Sequence, residues 1–219
     1  MPTIEIRGEI YEYDELGAEE KENFELAWSR MMFGLDEVHR RLFEMYKNDI
    51  FFAVKCAKAK AKKPFKGNQL REGLGMRFIL PQDFEKSGTT LSTWIQNYTS
   101  TGWSYLISES GDALWELPDG FSALIIIAFE NEYPSPKVSA IQFEKAGVTL
   151  LPIDTRENFL WGDKEKGVHI KALQNSLLAV EGQKIRMRVY VEETGKDGTK
   201  PVGVVIAEDS YLTTKPAST

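Results

Sequence analysis

Cysteine and histidine are nearly absent from this chain: among 219 residues Cys56 is the single cysteine, and His39 and His169 are the two histidines. One cysteine cannot form an intramolecular bridge, which excludes a disulfide scaffold and fits a reducing compartment. Two histidines nearly exclude a multi-histidine metal site, so no metal or other cofactor is expected. A Cys-His dyad would have to use Cys56, which sits between Lys55 and Ala57 in a helical pattern and reads as a small residue on a helix face. Lysine neighbours lower a thiol's pKa, but no base or oxyanion element accompanies this one.

Long apolar runs are also missing. The most hydrophobic stretch, Ala123 to Phe129, reads as a buried strand and falls far short of the ~20 residues of a membrane span. The start, MPTIEIRGEIYEYDE, is acidic and has no continuous apolar region, unlike a secretory leader, so a cytoplasmic or virion location is expected. Asn97-Tyr98-Thr99 matches a glycosylation sequon and, without a leader, is read as chance. Gly-x-Ser-x-Gly, phosphate-binding glycine loops and His-Glu-x-x-His are absent, and the glycines from Gly67 to Gly75 lack the spacing and the preceding strand of a phosphate loop.

Aromatic residues are plentiful: 5 Trp, 8 Tyr and 12 Phe supply a core that needs no staples. Their pattern changes near Pro64. Upstream, Phe24, Trp28, Met31, Leu35, Val38, Leu42 and Met45 recur at alternating four and three spacings, one stripe of a helix. The helix spans Ala18 to Lys62, or two helices broken at Gly34 or near Asn48, and Pro64 with Gly67 stops it. Before it, Thr3 to Tyr13 alternates well enough for one strand. The stripe suits either the protein's own sheet or another helix, and Phe33, Phe43, Phe51 and Phe52 make the arm apolar on more than one side.

Downstream, strands are expected at Met76 to Leu80, Thr89 to Ile95, Trp103 to Ser108, Ala113 to Leu117, Phe121 to Phe129, Val138 to Glu144, Val148 to Ile153, Val168 to Ala172, Lys184 to Glu193 and Val202 to Ala207. Turns such as Ser110-Gly111-Asp112, Pro118-Asp119-Gly120 and Gly195-Lys196-Asp197-Gly198 separate them, and Leu173 to Val180 reads as a short helix or loop. No βαβ rhythm is present, which counts against a parallel sheet. The fold class is therefore α+β: an N-terminal helical arm followed by a mainly antiparallel β-sandwich, jelly-roll-like. Residues 1–66 form the strand and arm, 67–212 the sandwich, and 213–219 a tail.

The net charge of −6 conceals two opposed blocks. Residues 1–25 hold nine acids against Arg7 and Lys21, a net of −7, and residues 55–71 hold Lys55, Lys58, Lys60, Lys62, Lys63, Lys66 and Arg71 with no acid, a net of +7. Lys55, Lys58, Lys62, Lys63, Lys66 and Arg71 are candidate contacts for non-specific nucleic acid or for another subunit. They equally suit a helix C-terminus, and the acidic block is a candidate partner within one subunit or between neighbours. A polar cluster of Asp154, Arg156, Glu157 and Asp163 surrounds Phe159 and Trp161. Phe159, Trp161 and Asp163 are a candidate loop for a ligand or partner, and the carboxylates raise a hydrolase as the weakest alternative.

In strand count and layout the chain resembles single jelly-roll coat proteins, with eight to ten strands, a charged N-terminal arm, few catalytic residue types and a body rich in Thr and Ser. That resemblance implies a non-enzymatic subunit of a virus or phage shell, with copies of itself as partner. A soluble β-sandwich that binds carbohydrate or protein is the alternative.

Overall fold

The change of period at Pro64 is where helix gives way to sheet in the structure, a computed structural model that describes residues 1–6, 8–67, 73–109, 113–133, 135–145, 148–149, 153–154 and 169–212. Strands β1 (Thr3–Ile6) and β2 (Glu9–Glu12) precede helices α1 (Ala18–Phe33), α2 (Glu37–Met45) and α3 (Lys47–Ala61). Then follow β3 (Leu74–Phe78), β4 (Glu85–Lys86), β5 (Thr89–Thr90), β6 (Gln96–Tyr98), β7 (Gly102–Ile107), β8 (Trp115–Glu116), β9 (Phe121–Asn131) and β10 (Val138–Lys145). The chain continues through β11 (Val148–Thr149), β12 (Ile153–Asp154), β13 (His169–Val180), β14 (Lys184–Val191), β15 (Gly195–Asp197), β16 (Thr199–Glu208) and the single turn α4 (Asp209–Leu212). With four helices and antiparallel strands in several sheets among the described residues, the protein is mixed α+β.

Several sequence expectations need correction. Thr3 to Tyr13 is a hairpin rather than one strand, because Gly8 takes a positive φ of 79° that turns the chain back. The arm is three helices, not one or two. Gly34 ends α1, and Asp36 starts α2 as its N-cap, Oδ1 accepting the His39 N–H at 2.9 Å. Tyr46 separates α2 from α3, and Lys62 closes α3 in the left-handed region at φ 51°. Of Thr89 to Ile95 only Thr89–Thr90 pairs as a strand. Leu173 to Val180 is neither helix nor loop but the second half of β13, displaced by a wide bulge between Ala172 and Leu177. The turn expected at Gly195 to Gly198 contains β15, paired with β6. There the buried Asp197 accepts from Asn131 Nδ2 at 2.8 Å and from the N–H groups of Lys137 and Thr199 at 2.8 and 2.9 Å.

Two sheets carry the body. One runs β13-β9-β16-β3 and the other β11-β10-β14-β7, with β12 also on β10 and β8 also on β14. All these pairs are antiparallel. Strand β9 is buried along its whole length because both of its faces are covered. Ala123, Ile125, Ile127 and Ala128 pack with the helices, while Leu124, Ile126 and Phe129 join a core completed by Phe143, Met187 and Val189 of the second sheet. The register shift opposite Val202 and Gly203 explains why two successive residues, Ile127 and Ala128, share one face. Gly203 makes that bulge possible, since a Cβ there would stand 1.9 Å from the Ile125 carbonyl oxygen.

The helices form a layer on the outer face of the first sheet. From α3, Ile50, Ala53, Val54, Cys56 and Ala57 are buried against it, and three of those five are small, which lets the helix lie close. The boundary at Pro64 thus separates two kinds of secondary structure that share one core.

Candidate functional site

The lysine block faces the acidic block of its own chain. Lys55 Nζ lies 2.6 Å from Glu15 Oε1, Lys58 Nζ 2.7 Å from Glu20 Oε2, and Lys60 Nζ 3.7 Å from Glu12 Oε2. Lys63 Nζ reaches Glu208 Oε2 at 2.7 Å. Glu20 is the centre of this arrangement, since it also accepts the N–H of Gly17 at 2.8 Å and of Phe65 at 3.0 Å. Burial alone would raise its pKa, but the Lys58 ammonium and the two N–H groups outweigh that and hold it below the ordinary value. Lys62 and Lys66 make no ion pair among the described residues, and Arg71 lies outside them.

The apolar stripe is turned onto the protein's own sheet. Phe24, Trp28, Met31 and Leu42 are buried in the core shared with the first sheet, Leu35 and Val38 pack half-buried against it, and Met45 is exposed. The helical layer keeps other apolar groups outside: Leu26, and Phe33, which is 90% exposed at the corner between α1 and α2.

Among the described residues no helix covers the outer face of the second sheet along β7 and β14. Trp103 and Tyr190 are paired across these strands, their rings edge to face with centroids 5.4 Å apart, and both are exposed. The Arg188 guanidinium carbon sits 5.3 Å from the Trp103 ring, and that of Arg186 5.4 Å from the Tyr105 ring. On β14, outward-facing Arg186, Arg188 and Tyr190 alternate with buried Met187, Val189 and Val191, so the strand's own period builds its side of the platform.

A further region lies between the β1–β2 hairpin, the α2–α3 junction and the bulge of β13. It is a cavity of about 1060 Å³, with Ile4, Ile6, Phe52, Ile125, Leu173 and Leu178 in its largely apolar wall. Lys145, at the end of β10, is buried in that wall, with Nζ 2.6 Å from Glu9 Oε2, 2.7 Å from the Tyr11 hydroxyl, and donating to the Leu178 carbonyl. Burial lowers the Lys145 pKa, opposed by Glu9. Burial would raise that of Glu9, but Lys145 and Tyr11 outweigh it and leave it low.

Cys56 is fully buried under α3, and burial pushes its thiol up to about 12 despite Lys55, Lys145 and Lys60 nearby. Phe159, Trp161 and Asp163, with Arg156 and Glu157, lie outside the described residues, and Asp154 ends β12. Among the described residues no cluster of three or more His, Cys, Asp and Glu side chains is placed to hold a metal ion, and no helix is long and apolar enough to cross a membrane. Sequence reasoning missed both the Trp103–Tyr190 platform and the Lys145 cavity. Strand alternation signalled the first, whereas the second joins residues 136 apart and has no local signal. No known family's model matches the chain, and no curated protein matches it in sequence.

Proposed function

We propose that this chain is a non-enzymatic structural subunit, a coat-type protein of a virus or phage, that self-assembles on a jelly-roll β-sandwich. The strand pairing carries the reading. Counting β3, β7, β9, β10, β11, β13, β14 and β16 in order, the first pairs with the eighth, the second with the seventh, the third with the sixth and the fourth with the fifth. That nesting is one long antiparallel ribbon. Rolling it up adds the pairs β9·β16 and β10·β14 and places four of these eight strands in each of two sheets, which is how a jelly roll is made.

A fold by itself does not name a function, so the surfaces matter. One sheet is sealed by the helical layer, and the other offers Trp103, Tyr190 and Arg188, the residue types that dominate protein interfaces. Phe33 and Leu26 offer a second apolar contact on the opposite side of the molecule. Two contact surfaces on opposite layers are what extended assembly of one chain requires. Because the stripe of the arm is engaged within the chain, assembly uses the outer side of the helices rather than the stripe.

Light scattering with electron microscopy at low and high salt tests this. Defined oligomers or particles are expected, and the double variant Trp103→Ser, Tyr190→Ser is expected to release smaller species. A strict monomer at high concentration in both salts overturns the reading. The same platform favours one second reading, a module that binds sugar rings or a partner protein on Trp103 and Tyr190. A monomer whose melting temperature rises with one glycan and is insensitive to that glycan in the double variant would establish it.

A further inference from the structure

The cavity beneath the β1–β2 hairpin has one fixed wall and one hinged wall. On the fixed side, the bulge of β13 is tied to the helices, the Tyr46 hydroxyl donating to the Leu173 carbonyl and Ser176 Oγ lying 2.7 Å from Asp49 Oδ2. On the other side, β1 and β2 pair only with each other among the described residues, and β1 is exposed along its length. A two-stranded hairpin standing alone is marginal in water, so this wall can lift. Its tethers into the body are Tyr11, buried against Phe52 of α3, the ion pair of Glu12 with Lys60, and the contact of Glu9 and Tyr11 of β2 with Lys145 of β10.

Lys145 fixes what the cavity accepts. Its side chain is 93% buried, as only 7% is accessible, and a buried ammonium needs an anion. In the closed hairpin that anion is Glu9, a carboxylate 36% accessible on a strand that can move. Lifting the hairpin removes the anion while the apolar wall of Ile125, Leu173 and Leu178 stays in place. The vacated position therefore calls for a carboxylate joined to an apolar chain.

We propose that this cavity binds a single-chain amphiphile with a carboxylate head, a long-chain fatty acid, whose carboxylate replaces Glu9 at Lys145 while its tail fills the apolar space. The hairpin acts as the lid, and Glu9 is the internal competitor. This goes beyond the assembly reading and does not depend on it.

The test titrates the full chain with the fluorescent fatty acid cis-parinaric acid and displaces it with palmitate or with hexadecanol, which has the same tail and no charge. Saturable one-to-one binding is expected, with palmitate displacing the probe at concentrations about tenfold or more below hexadecanol. Glu9→Gln is expected to tighten binding of the acid several-fold, and Lys145→Met to weaken it about tenfold or more while leaving the alcohol unchanged. Absence of saturable binding, or equal displacement by acid and alcohol, overturns the proposal. Should Lys145→Met fail to fold, Glu9→Gln decides: affinity for the acid that stays the same or falls overturns the proposal as well.

Discussion

His39 of α2 and Glu130 of β9 meet across 91 positions of sequence, Nε2 lying 3.1 Å from Oε2, while Asp36 Oδ2 takes Nδ1 at 2.7 Å. With a carboxylate at each nitrogen, this geometry favours the protonated ring, in which both nitrogens donate. Glu130 is buried and is also approached by Lys200 Nζ at 3.4 Å, so this cluster fastens the helical layer to the sheet.

The hydrogen bond to Glu130 raises the His39 pKa above 6.5, burial opposes it, and Asp36 adds to it. A raised folded value means that the stabilisation is fully present below the ordinary pKa and is lost as pH rises through the folded one. His39→Gln is therefore expected to cost about 1–2 kcal/mol near pH 6 and progressively less toward pH 9, read by urea unfolding at each pH. A gap that stays constant over this range would show that the ring acts by packing alone.

Gly203 is buried on β16, directly against the backbone of β9. A methyl group at this position would overlap the Ile125 carbonyl oxygen, a backbone atom that cannot rotate away, on a strand buried on both faces. Gly203→Ala is expected to cost about 3 kcal/mol or more, seen as a lowered melting temperature or loss of soluble protein. Gly182→Ala is a useful contrast because nothing lies within 4 Å there; its positive φ of 79° leaves only local backbone strain. Equal effects at the two positions would rule out the close approach as the cause.

What the sequence revealed follows from which interactions are local. The run Ala123 to Phe129 was legible as a buried strand because an unbroken apolar segment fits one covered on both faces. The opposite charge of the two blocks was also visible, and their pairing within the chain was among the alternatives. The four-three spacing from Phe24 to Met45 runs through Gly34 and Asp36, where the chain bends and a new helix is capped, and a break at Gly34 was among the alternatives expected. The signal to break it there was present in Asp36 at an N-cap position before Glu37. The polar run Gln174-Asn175-Ser176 hid a strand, since a bulge leaves the alternation that identifies strands. Glu9, Tyr11 and Lys145 carried no signal at all, because only the tertiary fold brings them together.

Cys56 offers a simple check on the helical layer. Its thiol is fully buried and pushed up to about 12, so it is expected to resist a disulfide reagent in the native state and to react fully in denaturant. Rapid modification of the native protein at neutral pH would mean that α3 does not stay on the sheet.

Two neighbouring ion pairs of the lysine block are expected to differ in value because they differ in burial. The Lys58 and Glu20 side chains are 18% and 12% accessible, and Glu20 also holds the first turn of α1 and the Phe65 N–H. In the pair of Lys55 with Glu15, the carboxylate is 64% accessible. Lys58→Met is expected to cost about 2–3 kcal/mol, since it leaves a largely buried carboxylate short of its cation, whereas Lys55→Met should stay within about 1 kcal/mol. The depressed pKa of Glu20 sets the pH window. Its stabilisation is present above the ordinary 4.5 and is lost as pH falls through the lower folded value. Urea unfolding of both variants at neutral pH, and again in acid, therefore separates them: the Lys58 deficit should shrink in acid. Deficits of equal size at neutral pH would mean that burial does not distinguish the pairs.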